Sequence, residues 1–168
     1  KTYVFVANHL SQLDIPAYVL ANKKTMRFLA KVELTRMPLM GYIVRKVYLS
    51  VDRSNKKARH RSMLNMKKSL DEGISVFICP EGTRNKTSEP LLEFKDGAFR
   101  LAVEAQIPVA VLTVMDSQKL LSPIRPVELA PGVIHAIWDK PVETKGMTEK
   151  DIPALKEKVR ALMIAHLR

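Results

Sequence analysis

The chain has 168 residues, a length that suits one domain with its own hydrophobic core. Hydrophobic residues make up 46% and charged residues 27%, which excludes a disordered or fibrous protein. Lys and Arg number 28 against 17 Asp and Glu, so the formal net charge is +11. Acidic partners are therefore favoured: nucleic acid, an anionic membrane surface, or a phosphorylated or acidic carrier of a substrate.

Cys79 is the single cysteine, which excludes an internal disulfide and is compatible with a reducing compartment. No apolar run approaches the roughly 18 residues that a membrane span needs. No signal peptide is recognisable, because Lys1 leads directly into a strand pattern, and without an initial Met the sequence reads as trimmed.

The first predicted element is an apolar strand at residues 3–7, and a helix is predicted over residues 15–21. His9 stands where the strand ends, and Asp14 stands five residues later, where the helix begins. This spacing lets Asp14 fold back onto His9. A histidine held by a carboxylate is the usual preparation for a general base.

A helix N-cap is the simpler interpretation of Asp14, since Asp is a favoured capping residue. The tetrapeptide Asp-Ile-Pro-Ala recurs at residues 151–154, where Asp151 also opens a predicted helix but the residue five positions earlier is Gly146. The two roles of Asp14 are compatible if one carboxylate oxygen caps the helix and the other holds His9.

Further along the chain, strands and helices are predicted to alternate. Strands are expected over residues 26–30, 47–51, 74–79, 108–115 and 132–139, and helices over residues 38–44, 56–72, 97–105 and 151–168. Several strands are continuously apolar, which indicates an α/β domain with a mixed, partly parallel sheet flanked by helices. No linker or repeat divides the chain, so residues 1–168 are expected to form one domain. The helix over residues 56–72 presents many cations, either as a solvated face or as a contact for an anion or membrane.

Polar residues follow three of the predicted strands, at His9, at Arg53 and at residues 81–84. Ligands of α/β sheets gather beyond the carboxyl ends of the strands. The third group is Glu81-Gly82-Thr83-Arg84, which is also explained by an ordinary turn that follows Pro80.

Glu81 and Arg84 directly follow a core strand and are therefore also placed to face a cleft. Arg84 can hold a phosphate through its planar fork of donors. Gly82 lets the backbone approach a ligand closely, and Thr83 offers a hydroxyl. Arg53, at the end of another strand, can supply a second cation, although pairing with Asp52 explains it equally well.

Four sequence blocks resemble the 1-acylglycerol-3-phosphate acyltransferases and their glycerolipid acyltransferase relatives. Asn8-His9, four further residues and Asp14 resemble the first block, and Cys79-Pro80-Glu81-Gly82-Thr83-Arg84 resembles the third. The strand that ends at Arg53 is similar to the second, and residues 107–111 are similar to the fourth. The likeness runs to about Leu112. Two positions depart from the family pattern: Cys79 replaces the usual aromatic residue, and Val111 stands where a second Pro often falls. These departures bear on the preference for an acyl chain or an acceptor more than on catalysis.

The resemblance implies transfer of a fatty acyl group from acyl-CoA or acyl carrier protein to the sn-2 hydroxyl of 1-acylglycerol-3-phosphate, forming phosphatidic acid. His9 would be the general base and Asp14 its orienting carboxylate. Arg84, with Arg53 and Lys95, would hold the phosphate of the acceptor. Glu81 and Gly82 would shape that pocket.

The resemblance also implies no metal and no cofactor beyond the acyl-donor substrate. It implies peripheral or monotopic attachment to the cytoplasmic face of a membrane, although the membrane-binding helices that precede the first block in the family are missing here. Another lysolipid or glycerol 3-phosphate is an alternative acceptor. A non-enzymatic basic module for nucleic acid or membrane is the other alternative, and an aromatic content of 6% argues against nucleic acid.

Overall fold

The computed structural model describes residues 1–22, 25–31, 48–51, 56–125 and 128–167. Within these ranges, six strands form one sheet: β1 Val4–Ala7, β2 Met26–Lys31, β3 Tyr48–Val51, β4 Ser75–Ile78, β5 Val109–Met115 and β6 His135–Trp138. The helices are α1 Asp14–Leu20, α2 Lys56–Asp71, α3 Gly97–Ala105, α4 Ser117–Leu120 and α5 Ile152–His166, the last preceded by a 3₁₀ turn at Glu149–Asp151.

The strand order is β3-β2-β4-β1-β5-β6, which places β1 in the interior of the sheet. Val4 of β1 lies opposite Val76 of β4 and Val109 of β5, and both pairings are parallel. Among the six described strands, only β6 runs antiparallel, beside β5. All four residues of β1 and of β4 are buried, as expected for strands covered on both faces. The prediction of a mixed, partly parallel α/β sheet is confirmed.

Helices cover the two faces of the sheet unequally. On one face, α1 packs Tyr18 against Phe77, with ring centroids 4.5 Å apart, and Phe5 and Phe28 complete this cluster. On the other face, residues of α2, α3 and α5 pack against the valines of β1, β4 and β5. The connections that leave β1 and β4 therefore cross on opposite faces, and this arrangement opens a crevice beyond the carboxyl ends of these strands.

Most of the predicted elements are present within one to three residues of their expected limits. Gly73, with φ 78°, lies just beyond the end of α2, as the sequence suggested. The structure adds the four-residue helix α4, which was not predicted, and the helix predicted over residues 38–44 lies outside the described residues. In the described part of the chain, no helix is long and apolar enough to cross a membrane.

Candidate active site

The side chains of His9 and Asp14 meet in the loop between β1 and α1. His9 Nδ1 lies 2.8 Å from Asp14 Oδ2. The same oxygen accepts the backbone N–H groups of Leu10 at 2.6 Å and Ser11 at 2.7 Å. Because an ionised carboxylate only accepts hydrogen bonds, this contact places the proton of a neutral imidazole on Nδ1 and leaves Nε2 as the basic nitrogen.

Burial separates the two partners of this pair. The Asp14 side chain is fully buried, whereas 19% of the His9 side chain is exposed. The carboxylate is thus shielded from water and the imidazole can reach a ligand. The predicted contact between Asp14 and His9 is confirmed.

The prediction that Asp14 also caps α1 is wrong. The N-cap residue is Leu13, and no side chain caps the helix. Within the part of the chain that the structure describes, Asp14 Oδ1 is buried without a partner, because Oδ2 accepts all three hydrogen bonds. The carboxylate turns back toward the loop, where it binds an imidazole and two backbone N–H groups instead of the N–H groups at the helix end.

A second set of hydrogen bonds fixes the backbone beneath His9. The Asn8 side-chain amide donates to Val114 O at 2.8 Å, and its Oδ1 accepts the Val114 N–H at 2.8 Å. The Tyr18 hydroxyl donates to the Asn8 carbonyl. Asn8 therefore joins the end of β1 to β5 and to α1, a role that the sequence signalled only by a polar residue directly after an apolar strand.

Glu81 supports the same backbone from the neighbouring strand. Its Oε1 accepts the His9 N–H at 2.8 Å, and its Oε2 accepts the Leu92 N–H at 2.8 Å. Glu81 is only 3% exposed, and burial raises the pKa of its carboxyl group against the opposing effect of these two bonds. The carboxylate was expected to face the cleft, but both of its oxygens are bound to backbone, so it shapes the site by holding two loops.

The turn after Glu81 carries a cation, Arg84. Gly82 has φ 73°, a left-handed conformation that favours glycine, and its N–H donates to Cys79 O at 3.0 Å. Thr83 is exposed. Arg84 is half-buried, and its Nη1 is buried without a hydrogen-bond partner among the described residues. An unpaired buried guanidinium nitrogen is costly unless a ligand satisfies it, which favours an anion at this position.

Asn85 ties the turn to the loop that carries His9. Its N–H donates to His9 O at 2.7 Å, so the neighbouring Arg84 is held beside the histidine loop. Its side-chain Oδ1 accepts the N–H of Thr87 at 2.9 Å, and its amide donates to Glu89 O at 2.7 Å. The loop over residues 85–90 is therefore anchored by a buried Asx turn, which the sequence Asn-Lys-Thr is able to signal.

An apolar cavity of about 410 Å³ adjoins these loops. Gly82 and Lys95, both expected to bind substrate, line it together with Cys79. The other lining residues are mainly apolar side chains of β2, β4, α2 and α3: Leu29, Ser62, Met63, Met66, Ile78, Pro80, Gly97 and Ala98. Its size is within the roughly 300–1,000 Å³ of small-molecule sites. Arg53, the remaining expected ligand of the phosphate, lies outside the described residues.

The fold and the site are those of an α/β enzyme whose histidine is oriented by a buried carboxylate at the crevice of a parallel sheet. The chain belongs to the acyltransferase family, because the model of the family described as Acyltransferase matches residues 1–115. The resemblance noted from the four sequence blocks is thereby confirmed.

Relatives and a solved structure agree with this membership. The 1-acyl-sn-glycerol-3-phosphate acyltransferase of Saccharomyces cerevisiae is 33% identical and matches the whole chain, which covers 56% of that protein. The 1-acyl-sn-glycerol-3-phosphate acyltransferase alpha of Mus musculus is 31% identical, and the chain covers 59% of that protein. The crystal structure of the 1-acyl-sn-glycerophosphate acyltransferase PlsC from Thermotoga maritima matches 99% of the chain with a TM-score of 0.82 and 25% identity, and the chain covers 65% of it. The chain thus spans between about half and two thirds of the length of these proteins.

Proposed function

We propose that the protein transfers a fatty acyl group from an acyl thioester to the sn-2 hydroxyl of 1-acylglycerol-3-phosphate and so forms phosphatidic acid for phospholipid biosynthesis. The observation that carries this proposal is the oriented His9–Asp14 pair. Arg84 supports it, because its Nη1 has no hydrogen-bond partner among the described residues and the next residue, Asn85, donates its N–H to the His9 carbonyl. A base together with an unpaired cation suits an acceptor that bears both a hydroxyl and a phosphate. The names of the relatives support the same acceptor.

The reaction follows from the geometry of the dyad. His9 Nε2 takes the proton of the acceptor hydroxyl as the oxygen attacks the thioester carbonyl. A new C–O ester bond forms, the C–S bond breaks, and the imidazolium returns the proton to the departing thiolate. Asp14 stabilises the imidazolium between these two transfers, and its Oδ2 is already within 2.8 Å of Nδ1. General base catalysis of this kind contributes about 10²- to 10⁴-fold.

Both substrates find suitable chemistry around the dyad. Arg84 binds the acceptor phosphate, since a guanidinium forms paired, charge-assisted hydrogen bonds to phosphate oxygens. The apolar cavity bounded by Gly82 and Lys95 accommodates a fatty acyl chain. Cys79 leaves more room in this lining than the aromatic residue usual in the family.

The proposed reaction needs no cofactor or metal ion, because the thioester is already an activated acyl group. In the described ranges, no group of three or more His, Cys, Asp or Glu side chains is arranged to hold a metal ion. We further propose that the protein works at the cytoplasmic face of a membrane, where an acceptor with a fatty chain resides, and that it does not act on nucleic acid.

A substrate panel tests the proposal. Full-length protein is incubated with palmitoyl-CoA or palmitoyl-acyl carrier protein and with 1-acylglycerol-3-phosphate, other lysophospholipids or glycerol 3-phosphate, and products are identified by mass spectrometry. Phosphatidic acid is expected as the main product. If another acceptor is preferred, that acceptor takes the place of 1-acylglycerol-3-phosphate in the proposal. If no acyl group is transferred to any acceptor, the proposed enzymatic function is wrong.

A matched pair of arginine variants tests the phosphate site. Arg84→Ala is expected to raise KM for 1-acylglycerol-3-phosphate by about tenfold or more, because a charge-assisted contact is lost. Arg100→Ala is the control, since Arg100 forms an exposed ion pair with Glu149 at 3.0 Å. Equal KM values for the two variants would remove Arg84 from the acceptor site.

A further inference from the structure

The outward side of α2 carries a continuous basic stripe. Successive positions of this stripe are four, three and four residues apart, so they share one face of the helix over about 16 Å. All four side chains are exposed, and the stripe consists of Lys57, Arg61, Leu64 and Lys68. Leu64, with 53% of its surface exposed, is its only apolar member.

Most of the charge of this stripe is not neutralised by ion pairs within the described part of the protein. Lys57 and Arg61 form no ion pair with a described residue, and Lys68 has only a 4.0 Å contact with Glu72 while its side chain is 77% exposed. The first turn of α2 contains no acidic residue. Cations near a helix N-terminus oppose the helix dipole, so this sequence does not serve helix stability.

The opposite side of the same helix lines the apolar cavity through Ser62, Met63 and Met66. A partner on the stripe would therefore be about one helix diameter, roughly 10 Å, from the cavity. The parallel strand β3 precedes α2, so the helix starts at the edge of the sheet where His9 lies. The stripe is thus close to the place where an acyl donor must arrive.

We propose that this basic stripe is the docking surface for an acidic acyl carrier protein, which delivers the acyl group to the cavity. The inference rests on the proposed acyl transfer and names the donor. An exposed apolar residue with a surrounding charged rim is the usual anatomy of a protein interface. Lys57, Arg61 and Lys68 complement the acidic surface of such a partner over a length that one protein helix can match.

Two other anionic partners fit the stripe less well. The phosphates of a nucleotide donor are compact and favour convergent, partly buried donors, whereas these cations are exposed and spread along the helix. A lipid surface favours several inserted apolar side chains. Among the described residues, the other large exposed aliphatic side chains lie away from α2. They are Val19 and Leu20 of α1, and Ile124, Leu129, Val133 and Ile137 in β6 and the connection that precedes it, at the opposite end of the sheet from β3.

Charge reversal on the full-length protein tests the surface. Arg61→Glu is expected to lower kcat/KM with palmitoyl-acyl carrier protein by about tenfold or more at low salt, and to change kcat/KM with palmitoyl-CoA by less than about twofold. Leu64→Ala should lower the same carrier-protein value with little salt dependence, because it removes an apolar contact. Lys158→Glu makes the same charge change on an exposed position of α5 and should alter neither donor.

Direct binding of acyl carrier protein, measured by calorimetry, separates the two proposals. Stripe-dependent binding without transfer from either donor would support the docking surface and overturn the proposed function. Transfer from palmitoyl-CoA with no binding of acyl carrier protein would overturn the docking surface alone. Equal losses of kcat/KM with both donors in the stripe variants would also overturn the docking surface. So would variants that keep binding to acyl carrier protein but lose binding to anionic phosphatidylglycerol vesicles.

Discussion

The tetrapeptide Asp-Ile-Pro-Ala occurs twice in this chain, and the two copies share a local structure but not a surrounding one. Asp14 and Asp151 each stand at the start of a helix. Each carboxylate turns back to accept the N–H of the residue three positions earlier, Ser11 in one case and Thr148 in the other, both at 2.7 Å. The tetrapeptide itself therefore specifies a turned-back carboxylate.

The surroundings decide what each carboxylate does. Asp151 is exposed, and the N–H and hydroxyl of Thr148 lower the pKa of its carboxyl group. Asp14 is fully buried, and its bonded oxygen also receives His9 Nδ1. The difference shows that a local motif supplies the geometry, while burial in the sheet crevice and a histidine five residues earlier supply the chemistry.

Removing the histidine should give the largest effect. His9→Ala is expected to lower kcat for acyl transfer by about 10²- to 10⁴-fold, because the general base is lost. His9 is partly exposed, so the thermal midpoint should change little. His135→Ala removes an exposed histidine that lies 3.0 Å from Asp116 and is the matched control in the same kinetic assay. Comparable loss in both variants would mean that His9 is not the base.

Neutralising the two aspartates in turn tests the comparison itself. Asp14→Asn is expected to lower kcat by about 10²-fold or more, because the imidazolium loses its negatively charged partner. Asp151→Asn keeps the same tetrapeptide position and should leave kcat unchanged. The two variants are compared by initial rates after circular dichroism has shown that both are folded. Similar rates for the two would contradict a special role of Asp14.

Glu81 extends the comparison to a buried carboxylate that binds backbone N–H groups and no imidazole. Glu81→Gln is expected to destabilise the protein by about 1–3 kcal/mol, because the amide leaves one backbone N–H without an acceptor. Since burial raises the pKa of Glu81 in the folded state, the folded protein binds the proton more tightly. The contribution of Glu81 to stability is therefore present at pH values below 4.5 and falls as pH rises through its raised pKa.

Urea unfolding at several pH values measures this dependence. The stability advantage of the wild-type protein over Glu81→Gln should shrink as pH rises above 4.5. Glu157→Gln, at an exposed position of α5, serves as the control and should show no such trend. A constant difference between wild type and Glu81→Gln across this range would mean that Glu81 titrates normally.

Asp151 should show the smallest effect and the opposite sign. Its pKa is lowered in the folded state, so its stabilising contribution is present above the ordinary value of 3.8. That contribution is lost as pH falls through the lowered pKa. Acid titration followed by circular dichroism should therefore show Asp151→Asn slightly less stable than wild type at neutral pH, with the two curves converging in acid. Curves that diverge in acid would reverse the assigned direction.

The features that could be predicted from the sequence are those that depend on residues close together in the chain. The apolar runs of β1, β4 and β5 predicted buried strands, and the spacing of His9 and Asp14 predicted their contact. These features are local, because strand burial and a five-residue separation are visible in a short window.

The contacts that position the dyad could not be predicted in the same way. The bond from His9 N–H to Glu81 spans 72 residues and depends on β4 lying beside β1. The clamp of Asn8 on Val114 spans 106 residues and depends on β5 lying on the other side. Polar patterning identified Glu81 as part of the site but gave the wrong direction for its side chain. That direction depends on the order of the strands in the sheet, which no short segment of sequence determines.

The interior position of β1 has a consequence for biosynthesis. At roughly 5–20 residues per second, a ribosome needs on the order of 5–20 s to pass from Asn8 to its partner Val114. During that interval the apolar segment Val4–Ala7 has no parallel neighbour on the β5 side, and unpaired apolar strands are prone to aggregation. His9 is thus made early, but the contacts that position its backbone can form only after β5 has emerged.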